Sequence, residues 1–280
     1  MKLIIHGGAG ARERGPGEEK ACSDALREIA MAGYAVLQRS GVRAAVIASI
    51  KRLEDNPLFN AGTGSRLQRD GVARMSAAIM DNEDHVLSGV INVERVQNPI
   101  VVADKLRDAT HTMLAGDHAT AFARSQNIEE FDVVTDHRRQ EWKDGLTGRT
   151  GTVGAVAVDD NGVLCAATST GGVGHETPGR VSDAPTVAGT YACKAMGISC
   201  TGVGEEIVYQ AVAARIATRT LDGADLESAA SRTIREGDHH GYRYGLIALD
   251  SGGHHFTGQT AEITTLFAVI DETGTTTFTD

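Results

Sequence analysis

The stretch Gly151-Thr152-Val153-Gly154-Ala155-Val156-Ala157-Val158 predicts a buried β-strand that opens with a threonine. Its valines and alanines between glycine and a polar turn are typical of such strands. Asp159-Asp160-Asn161-Gly162 is a strong hairpin signal, and a second short strand follows over residues 163–167. Thr170 lies just past the end of that strand, so we expect the hairpin to bring Thr170 close to Thr152. Taken alone, the stretch also fits a glycine-flanked edge strand with threonines on its polar face.

Length and composition limit the classes of protein to which the chain can belong. Its 280 residues suffice for one large domain or two small ones. The net charge of −10 argues against nucleic acid and anionic membranes as partners, and no window approaches the ~18 apolar residues of a membrane span. The four cysteines show no CxxC spacing, which favours buried free thiols in a reducing compartment. With an N-terminal apolar run too short for a signal peptide, we expect a cytoplasmic protein.

Apolar periodicity predicts a regular alternation of strands and helices. Helical spacing covers residues 18–39 and 42–54, with Gly41 between them, and again residues 205–220. Strand patterns open and close the chain and also occupy its middle. This order, two similar halves of strands and helices, fits two sheets stacked face to face with helices outside.

The segment before Thr152 suggests a processing boundary. Residues 125–150 are mostly polar and charged, and residues 145–151 are typical of a flexible approach to the strand. If the chain is cut there, the new α-amino group of Thr152 can act as the base for its own hydroxyl, because its pKa is about 8. The β-branched side chain holds Oγ1 in place, and Gly151 presents no side chain to obstruct the attack.

Two later loops carry residues suited to an amino-acid substrate. The guanidinium of Arg180 suits a carboxylate, and Asp183 would neutralise an ammonium group. Thr201 and the backbone N–H of Gly202 could form an oxyanion hole. The alternatives are a surface salt bridge between Arg180 and Asp183 and an ordinary helix N-cap at residues 201–202.

Two glycine-rich segments remain open to more than one interpretation. The loop over residues 53–65 could point several carbonyls inward and bind a hard cation, or it could be a plain connection. His6-Gly7-Gly8-Ala9-Gly10 lacks the spacing of a phosphate-binding loop, so we interpret its glycines as allowing close packing. The adjacent pairs His239-His240 and His254-His255 are interpreted as solvated loop residues.

Six motifs in order resemble the plant-type L-asparaginase / isoaspartyl aminopeptidase family of N-terminal-nucleophile (Ntn) hydrolases. The similarity extends over most of the chain up to about residue 210. The motifs are His6-Gly7-Gly8-Ala9-Gly10, Pro57-Leu58-Phe59-Asn60-Ala61-Gly62-Thr63-Gly64, Gly151-Thr152-Val153-Gly154-Ala155-Val156-Ala157, Ala167-Thr168-Ser169-Thr170-Gly171-Gly172, Pro178-Gly179-Arg180-Val181-Ser182-Asp183-Ala184-Pro185 and Ser199-Cys200-Thr201-Gly202-Val203-Gly204-Glu205.

The resemblance implies a fold, a maturation step and a set of roles. It implies one α/β (α+β) domain over residues 1–280, a four-layer αββα sandwich, cleaved between Gly151 and Thr152 into subunits 1–151 and 152–280. These subunits would stay together, usually as a dimer of heterodimers. By motif match, the resemblance assigns Thr152 as nucleophile, Thr170 as its hydrogen-bonding neighbour, Arg180, Asp183 and Gly204 as substrate-binding residues, Thr201 and Gly202 as the oxyanion hole, and Asn60 as support.

The resemblance also implies a cation but no cofactor for catalysis. A structural sodium ion would be held by the backbone carbonyls of Leu53, Glu54, Asn56, Phe59, Ala61 and Thr63. The small-molecule substrate would be L-asparagine or a β-aspartyl (isoaspartyl) dipeptide, with L-aspartate released. The alternatives are a glycosylasparaginase-like amidase and a non-maturing amino-acid-binding protein.

The chain departs from the family pattern at several points around the substrate. A serine, Ser182, precedes Asp183 where glycine is usual, and the segment 171–177 differs from its common form. Ser76 replaces a common aspartate. Tyr244-Gly245 stands where two glycines usually precede a strand, and the chain from residue 239 onward diverges. These differences leave the cleavage chemistry intact and bear on substrate choice.

Overall fold

A computed structural model describes residues 1–9, 16–147 and 151–278 of the chain, and this part contains twelve strands in two sheets. In chain order the strands are β1 Lys2–Ala9, β2 Met75–Asp81, β3 Leu87–Val93, β4 Met113–Ala115, β5 Val153–Val158, β6 Leu164–Thr170, β7 Thr190–Ala192, β8 Met196–Gly202, β9 Tyr244–Asp250, β10 His255–Gln259, β11 Thr265–Asp271 and β12 Gly274–Phe278. The larger sheet has the order β12-β11-β1-β5-β6-β2-β3-β4, and the smaller one β10-β9-β8-β7.

The helices of the described part lie outside these sheets. They are α1 Pro16–Asp55, α2 Pro99–Lys105, α3 Gly116–Ser125, α4 Asp136–Lys143, α5 Gly204–Gln210, α6 Val212–Leu221 and α7 Leu226–His239. Helix α1 is interrupted at Gly41, whose φ of 82° is a left-handed conformation that glycine adopts without steric cost. The predicted pair of helices, with glycine between them, is therefore confirmed.

Three apolar cores define four layers. One core lies between the large sheet and α1 to α3, a second between the small sheet and α6 and α7, and a third between the two sheets. Ile4, Val156 and Ile247 belong to the core between the sheets, which joins both halves of the chain. The predicted αββα sandwich is confirmed. Within the described residues, none of the helices combines the length and apolar character that a membrane crossing requires.

Several element boundaries differ from the sequence prediction. The single helix predicted over residues 205–220 is two helices, α5 and α6, separated by Ala211 in a left-handed conformation with φ 50°. Thr170 is the last residue of β6 rather than a residue beyond it. His239 ends α7 and His255 begins β10, so these two histidines are not loop residues, although both are exposed.

The strand order places the start of β5 and the end of β6 at the same sheet edge. These two strands pair antiparallel in the register Val153↔Ser169, and the Asp159–Val163 hydrogen bonds close the turn between them. Strand β5 also pairs with β1, and β6 with β2. Residues from the first half of the chain therefore flank the hairpin on both sides.

Candidate active site

Two threonine hydroxyls meet at the sheet edge where the hairpin opens. Thr152 lies immediately before β5, Thr170 ends β6, and the Thr152 hydroxyl donates to Thr170 Oγ1 over 3.1 Å. The backbone N–H of Gly172 also donates to Thr170 Oγ1, at 3.2 Å. Thr152 is largely buried, with 8% of its surface exposed. The structure thus places the two threonines together as the hairpin predicts.

The peptide group before Thr152 is held by close backbone contacts. Gly151 has φ 149°, which side-chain-bearing residues rarely adopt, and its carbonyl oxygen accepts from the backbone N–H of Asn60 at 3.2 Å. A Cβ on Gly8 would lie 2.8 Å from Gly151 Cα. Gly8 therefore supplies the close approach expected of the glycines in this motif, whose Gly10 lies outside the described residues, and the N–H of Asn60 polarises the carbonyl of Gly151.

Asn60 also joins the loop after α1 to the end of β6. Its side-chain Nδ2 donates to the carbonyl of Gly172 at 2.5 Å, and its Oδ1 accepts from the N–H of Arg66 at 2.9 Å. Its backbone carbonyl accepts from Gly171 at 2.8 Å. These bonds fix the surroundings of both threonines, which is the supporting position predicted for this residue.

Thr201 approaches Thr152 from the second sheet. Its Oγ1 accepts from the N–H of Ala9 at 3.1 Å and lies 3.5 Å from the carbonyl oxygen of Thr152. Gly202, with φ 141°, ends β8 beside it. The N-cap of α5 is Val203, and it makes no side-chain cap. The alternative that residues 201–202 are an ordinary N-cap is therefore wrong.

Arg180 and Asp183 face a common space but do not pair with each other. The Arg180 guanidinium is instead bound by both carboxylate oxygens of Glu205, at 2.6 and 2.7 Å. A Cβ on Gly204 would lie 2.9 Å from Asp183 Oδ1 and 3.0 Å from Arg180 Nη2. Because Gly204 has no side chain, a cleft remains between the two charged groups. The salt-bridge alternative for Arg180 and Asp183 is wrong, and Glu205 is the partner that sequence reasoning missed.

The carboxyl group of Asp183 is poised to receive a cation. It is 2% exposed, and its Oδ2 has no hydrogen-bond partner within the part of the chain that the structure describes. Burial raises its pKa to about 7, and the nearby Arg180 opposes this shift. A buried carboxylate with a free oxygen gains a hydrogen bond and a charge partner when an ammonium group binds.

His6 belongs to a buried hydrogen-bond chain that the sequence did not reveal. Its Nε2 lies 3.0 Å from Ser199 Oγ, which lies 2.7 Å from Thr168 Oγ1. Thr190 Oγ1 continues the chain, donating at 2.6 Å to Thr168 or at 2.8 Å to the carbonyl of Ala184. Burial lowers the pKa of His6 to about 3, although a bond to the Thr152 backbone raises it. A neutral His6 therefore connects β1 with the loop that contains Asp183 and Ala184.

The loop after α1 presents carbonyl oxygens rather than charged ligands. Gly62 and Gly64 have φ of 55° and 98°, and the carbonyl of Glu54 accepts from the N–H of Thr63 at 2.7 Å. Within the described chain, the carbonyls of Phe59, Ala61 and Thr63 accept no backbone hydrogen bond. The described residues also contain no cluster of His, Cys, Asp and Glu that could hold a metal. This donor set fits an alkali cation, which binds oxygen ligands.

A cavity of about 600 Å³ opens beside Arg180 and Glu205. It lies within the size range of sites that bind drug-sized ligands. Its other walls come from the segment between α1 and β2, the segment after α4, the loop after β6 and the residues before α5 and β9. The charged and polar members of these walls are Arg69, Thr147, Glu176, Thr177 and Arg243. The cavity therefore adjoins Arg180, whereas Asp183 is not among its lining residues.

The layers and the buried threonine at the start of a central strand define the Ntn-hydrolase fold class. The family model described as Asparaginase (Asparaginase_2) matches residues 1–148 and 145–279. The chain belongs to this family.

Curated relatives agree with this assignment. An isoaspartyl peptidase/L-asparaginase from Synechocystis sp. is 41% identical, over 94% of this chain and 85% of its own. A protein of the same name from Nostoc sp. is 41% identical, over 94% and 89%. The plant-type L-asparaginase of Pyrococcus abyssi is 37% identical, over 91% of each chain. The similarity thus extends through the divergent region after residue 239.

Proposed function

We propose that the protein is an autoprocessed threonine hydrolase. It cleaves the side-chain amide of L-asparagine, the β-linkage of isoaspartyl dipeptides, or both, and releases L-aspartate. Its named relatives, isoaspartyl peptidase/L-asparaginases and plant-type L-asparaginases, support this substrate class. Membership of the family favours hydrolysis over a purely amino-acid-binding role.

The observation that carries the proposal is the arrangement around Thr152. A buried threonine hydroxyl lies 3.1 Å from that of Thr170 and directly follows a glycine whose carbonyl accepts from Asn60. In maturation, Thr152 Oγ1 attacks the Gly151 carbonyl and the bond between the Gly151 carbonyl carbon and the Thr152 nitrogen breaks, which leaves an ester on Oγ1 and frees the α-amino group of Thr152. Water then hydrolyses the ester, releasing the carboxylate of Gly151 and regenerating the Thr152 hydroxyl. That amine is then the base for its own hydroxyl.

Turnover uses the same hydroxyl twice. Thr152 Oγ1 attacks the β-carbonyl of the substrate, and the α-amine accepts its proton and passes it to the departing ammonia or amine. Thr201 and the N–H of Gly202 stabilise the oxyanion. Water then attacks the β-aspartyl ester, the ester bond breaks, and L-aspartate leaves while the proton returns to Thr152.

Substrate recognition rests on the cleft over Gly204. The ammonium group of the substrate binds Asp183, whose Oδ2 has no hydrogen-bond partner in the described chain. The α-carboxylate binds the N–H groups of Arg180 that Glu205 does not occupy, because Glu205 engages only Nε and Nη2. Glu205 thereby keeps the Arg180 fork in a fixed orientation. A free amino acid satisfies both groups at once.

The experiment that tests this function compares the protein with Thr152→Ala. We expect purified wild type to show two masses that meet at Gly151/Thr152 and to release ammonia from L-asparagine. The alanine variant should stay at full length and release none. Thr152→Ser, which keeps the hydroxyl and loses the methyl group, is the matched control and should retain processing at a reduced rate. Hydrolysis retained by the alanine variant would contradict the proposal.

We further propose a structural sodium ion in the loop after α1. The carbonyls of Leu53, Glu54, Asn56, Phe59, Ala61 and Thr63 would hold it, with no role in the reaction. The open carbonyls of Phe59, Ala61 and Thr63 support the proposal. A sodium ion there would stabilise the loop that carries Asn60. Replacing sodium with a large cation should lower the melting temperature, and an unchanged melting temperature would contradict the site.

The proposal extends to assembly and compartment. The two subunits would stay together, which is supported by the mixing of strands from both halves of the chain in the larger sheet. Two such heterodimers would form a dimer, as the resemblance implies. A cytoplasmic location is supported by the four cysteines, Cys22, Cys165, Cys193 and Cys200, which are buried and free.

A further inference from the structure

The cavity beside Arg180 is larger than a single amino acid requires. Its volume of about 600 Å³ extends from Arg180 and Glu205 to the loop residues Val173 to Thr177 and to Arg69. Asp183 and Gly204 are not among its lining residues, so an asparagine bound over Gly204 would meet the cavity only at the end formed by Arg180, Val203 and Glu205. The outer part is therefore free to receive whatever is attached to the side-chain carbonyl of the substrate.

Most of the charges that line this cavity are already engaged. Arg180 is bound by Glu205, and Arg243 by Glu206, whose Oε1 accepts from Nη2 at 2.9 Å. The Glu176 side chain bonds within its own loop, where Oε2 accepts from the N–H of Val173 at 3.1 Å. Arg243 and Glu176 each have a fixed local partner and offer little net charge to a ligand. Arg180 retains only the N–H groups that Glu205 does not occupy, and the α-carboxylate of the aspartyl part takes these.

Arg69 is the exception among the arginines of the cavity. Its side chain is exposed and lines the outer wall, and no carboxylate lies within 4.0 Å of it in the described ranges. Its backbone, in contrast, is held firmly. The N–H of Arg69 donates to the carbonyl of Glu176 at 3.0 Å, and the neighbouring carbonyl of Gln68 accepts from Trp142 Nε1, also at 3.0 Å. The backbone of Arg69 is thus fixed by hydrogen bonds, while its guanidinium has no carboxylate partner in the described ranges.

We propose that Arg69 binds the free α-carboxylate of the residue that leaves when a β-aspartyl dipeptide is cleaved. This subsite rests on the proposed function. The aspartyl part of the dipeptide lies between Arg180 and Asp183, and the leaving residue extends into the outer cavity toward Arg69. Asparagine has only ammonia to lose and cannot use the subsite. The site therefore favours isoaspartyl dipeptides that carry a free C-terminal carboxylate.

Two of the departures from the family pattern fall on this part of the molecule. Val173, Gly174, Glu176 and Thr177 belong to the segment that differs from its common form, and all four line the cavity. Arg243 directly precedes Tyr244, where the glycine pair is lost. Ser182, beside Asp183, is a further departure near the aspartyl part of the substrate. The wall that would contact the leaving residue is thus one of the places where the chain differs from the family pattern.

The test measures kcat/KM for β-aspartyl-leucine and for the same compound with its C-terminal carboxylate converted to an amide, in wild type and in Arg69→Gln. We expect wild type to favour the free carboxylate and the variant to lower that preference about fivefold, mainly through KM. Arg235→Gln is the matched control, because Arg235 is an exposed arginine on α7 outside the cavity lining. It should leave the preference at its wild-type value.

Two results would overturn the subsite. Wild type that cleaves the acid and the amide equally well, while releasing ammonia from L-asparagine, would refute the subsite and leave the proposed function intact. The same would follow if Arg69→Gln slowed both dipeptides by the same factor. A mature protein that cleaves none of the three compounds would refute the proposed function itself, and the subsite with it.

Discussion

Asp183 allows the proposed substrate site to be tested at the scale of one residue. Burial raises the pKa of its carboxyl group to about 7 in the unliganded protein. A bound ammonium group favours the ionised carboxylate, so below pH 7 the ligand and a proton compete for this residue. The affinity of the mature protein for its product L-aspartate should therefore fall as the pH drops, by up to about tenfold per pH unit.

Calorimetry in two buffers with different ionisation enthalpies measures the effect directly. At pH 6 the binding of L-aspartate should release close to one proton, and at pH 8 this release should disappear. The α-amine of Thr152 does not contribute to the release at pH 6, because it is already protonated there and the bound carboxylate favours that form. An affinity that stays constant between pH 5.5 and 7.5 would contradict the assignment of Asp183.

Some residues of the site could be predicted from the sequence, and others could not. The approach of Thr152 to Thr170 follows from a hairpin, which is a local signal. The pairing of Arg180 with Glu205 depends on where α5 begins relative to the loop that contains Arg180 and Asp183, and a single sequence does not specify that distance. The contact of His6 with Ser199 joins strands of different sheets, 193 residues apart. Contacts of this kind appear only once the layers are stacked.

At the scale of elements, the helices after β8 show what the apolar pattern can and cannot predict. Periodicity correctly predicts helix over residues 205–220, but it continues across Ala211 without a visible break. The break exists because Ala211 takes φ 50°, and alanine carries no sequence signal for that conformation. Gly41 produces a comparable break in α1, and there the glycine makes it predictable.

Tyr244 shows how a departure from the family pattern is accommodated between elements. It is fully buried at the start of β9, and its hydroxyl donates to Gln210 Oε1 at 2.8 Å or to the carbonyl of Thr233 at 2.9 Å. Its hydroxyl lies so close to Gly237 that a Cβ on that residue would be 2.5 Å from the hydroxyl oxygen. The tyrosine therefore connects β9 with both α5 and α7.

Tyr244→Phe should destabilise the protein by about 1–2 kcal/mol, because the buried amide oxygen of Gln210 loses its donor while the ring still fills its space. Urea unfolding of the uncleaved Thr152→Ala chain measures this, since that form avoids the complication of two subunits. Tyr209→Phe is the matched control: Tyr209 is 70% exposed and should change stability by less than about 0.5 kcal/mol. Equal effects of the two substitutions would contradict the buried bond.

At the scale of the whole molecule, layer composition was predictable and strand order was not. Alternating strand and helix patterns indicate stacked sheets covered by helices, because each apolar face must be buried. The order β12-β11-β1-β5-β6-β2-β3-β4 places the last strands of the chain beside the first. Strands β4 and β7 have three residues each, which is too short to show the alternation that marks a strand.

That strand order determines what a cut before Thr152 does to the molecule. Strand β1 is paired on one side with β5 and on the other with β11, and β2 is paired with β6. Residues of both segments also share the core between the sheets. Separating residues 1–151 from residues 152–280 would break three ladders of backbone hydrogen bonds and expose that core to water.

We therefore expect the cut protein to remain one particle. Denaturing electrophoresis should show two fragments, whereas size-exclusion chromatography under native conditions should give one peak at the elution volume of uncleaved Thr152→Ala. Residues 152–280 expressed alone should aggregate, because they lack α1 and the central strand β1 that cover their apolar surfaces. Fragments that separate on a native column, or a segment 152–280 that folds by itself, would contradict the shared sheet.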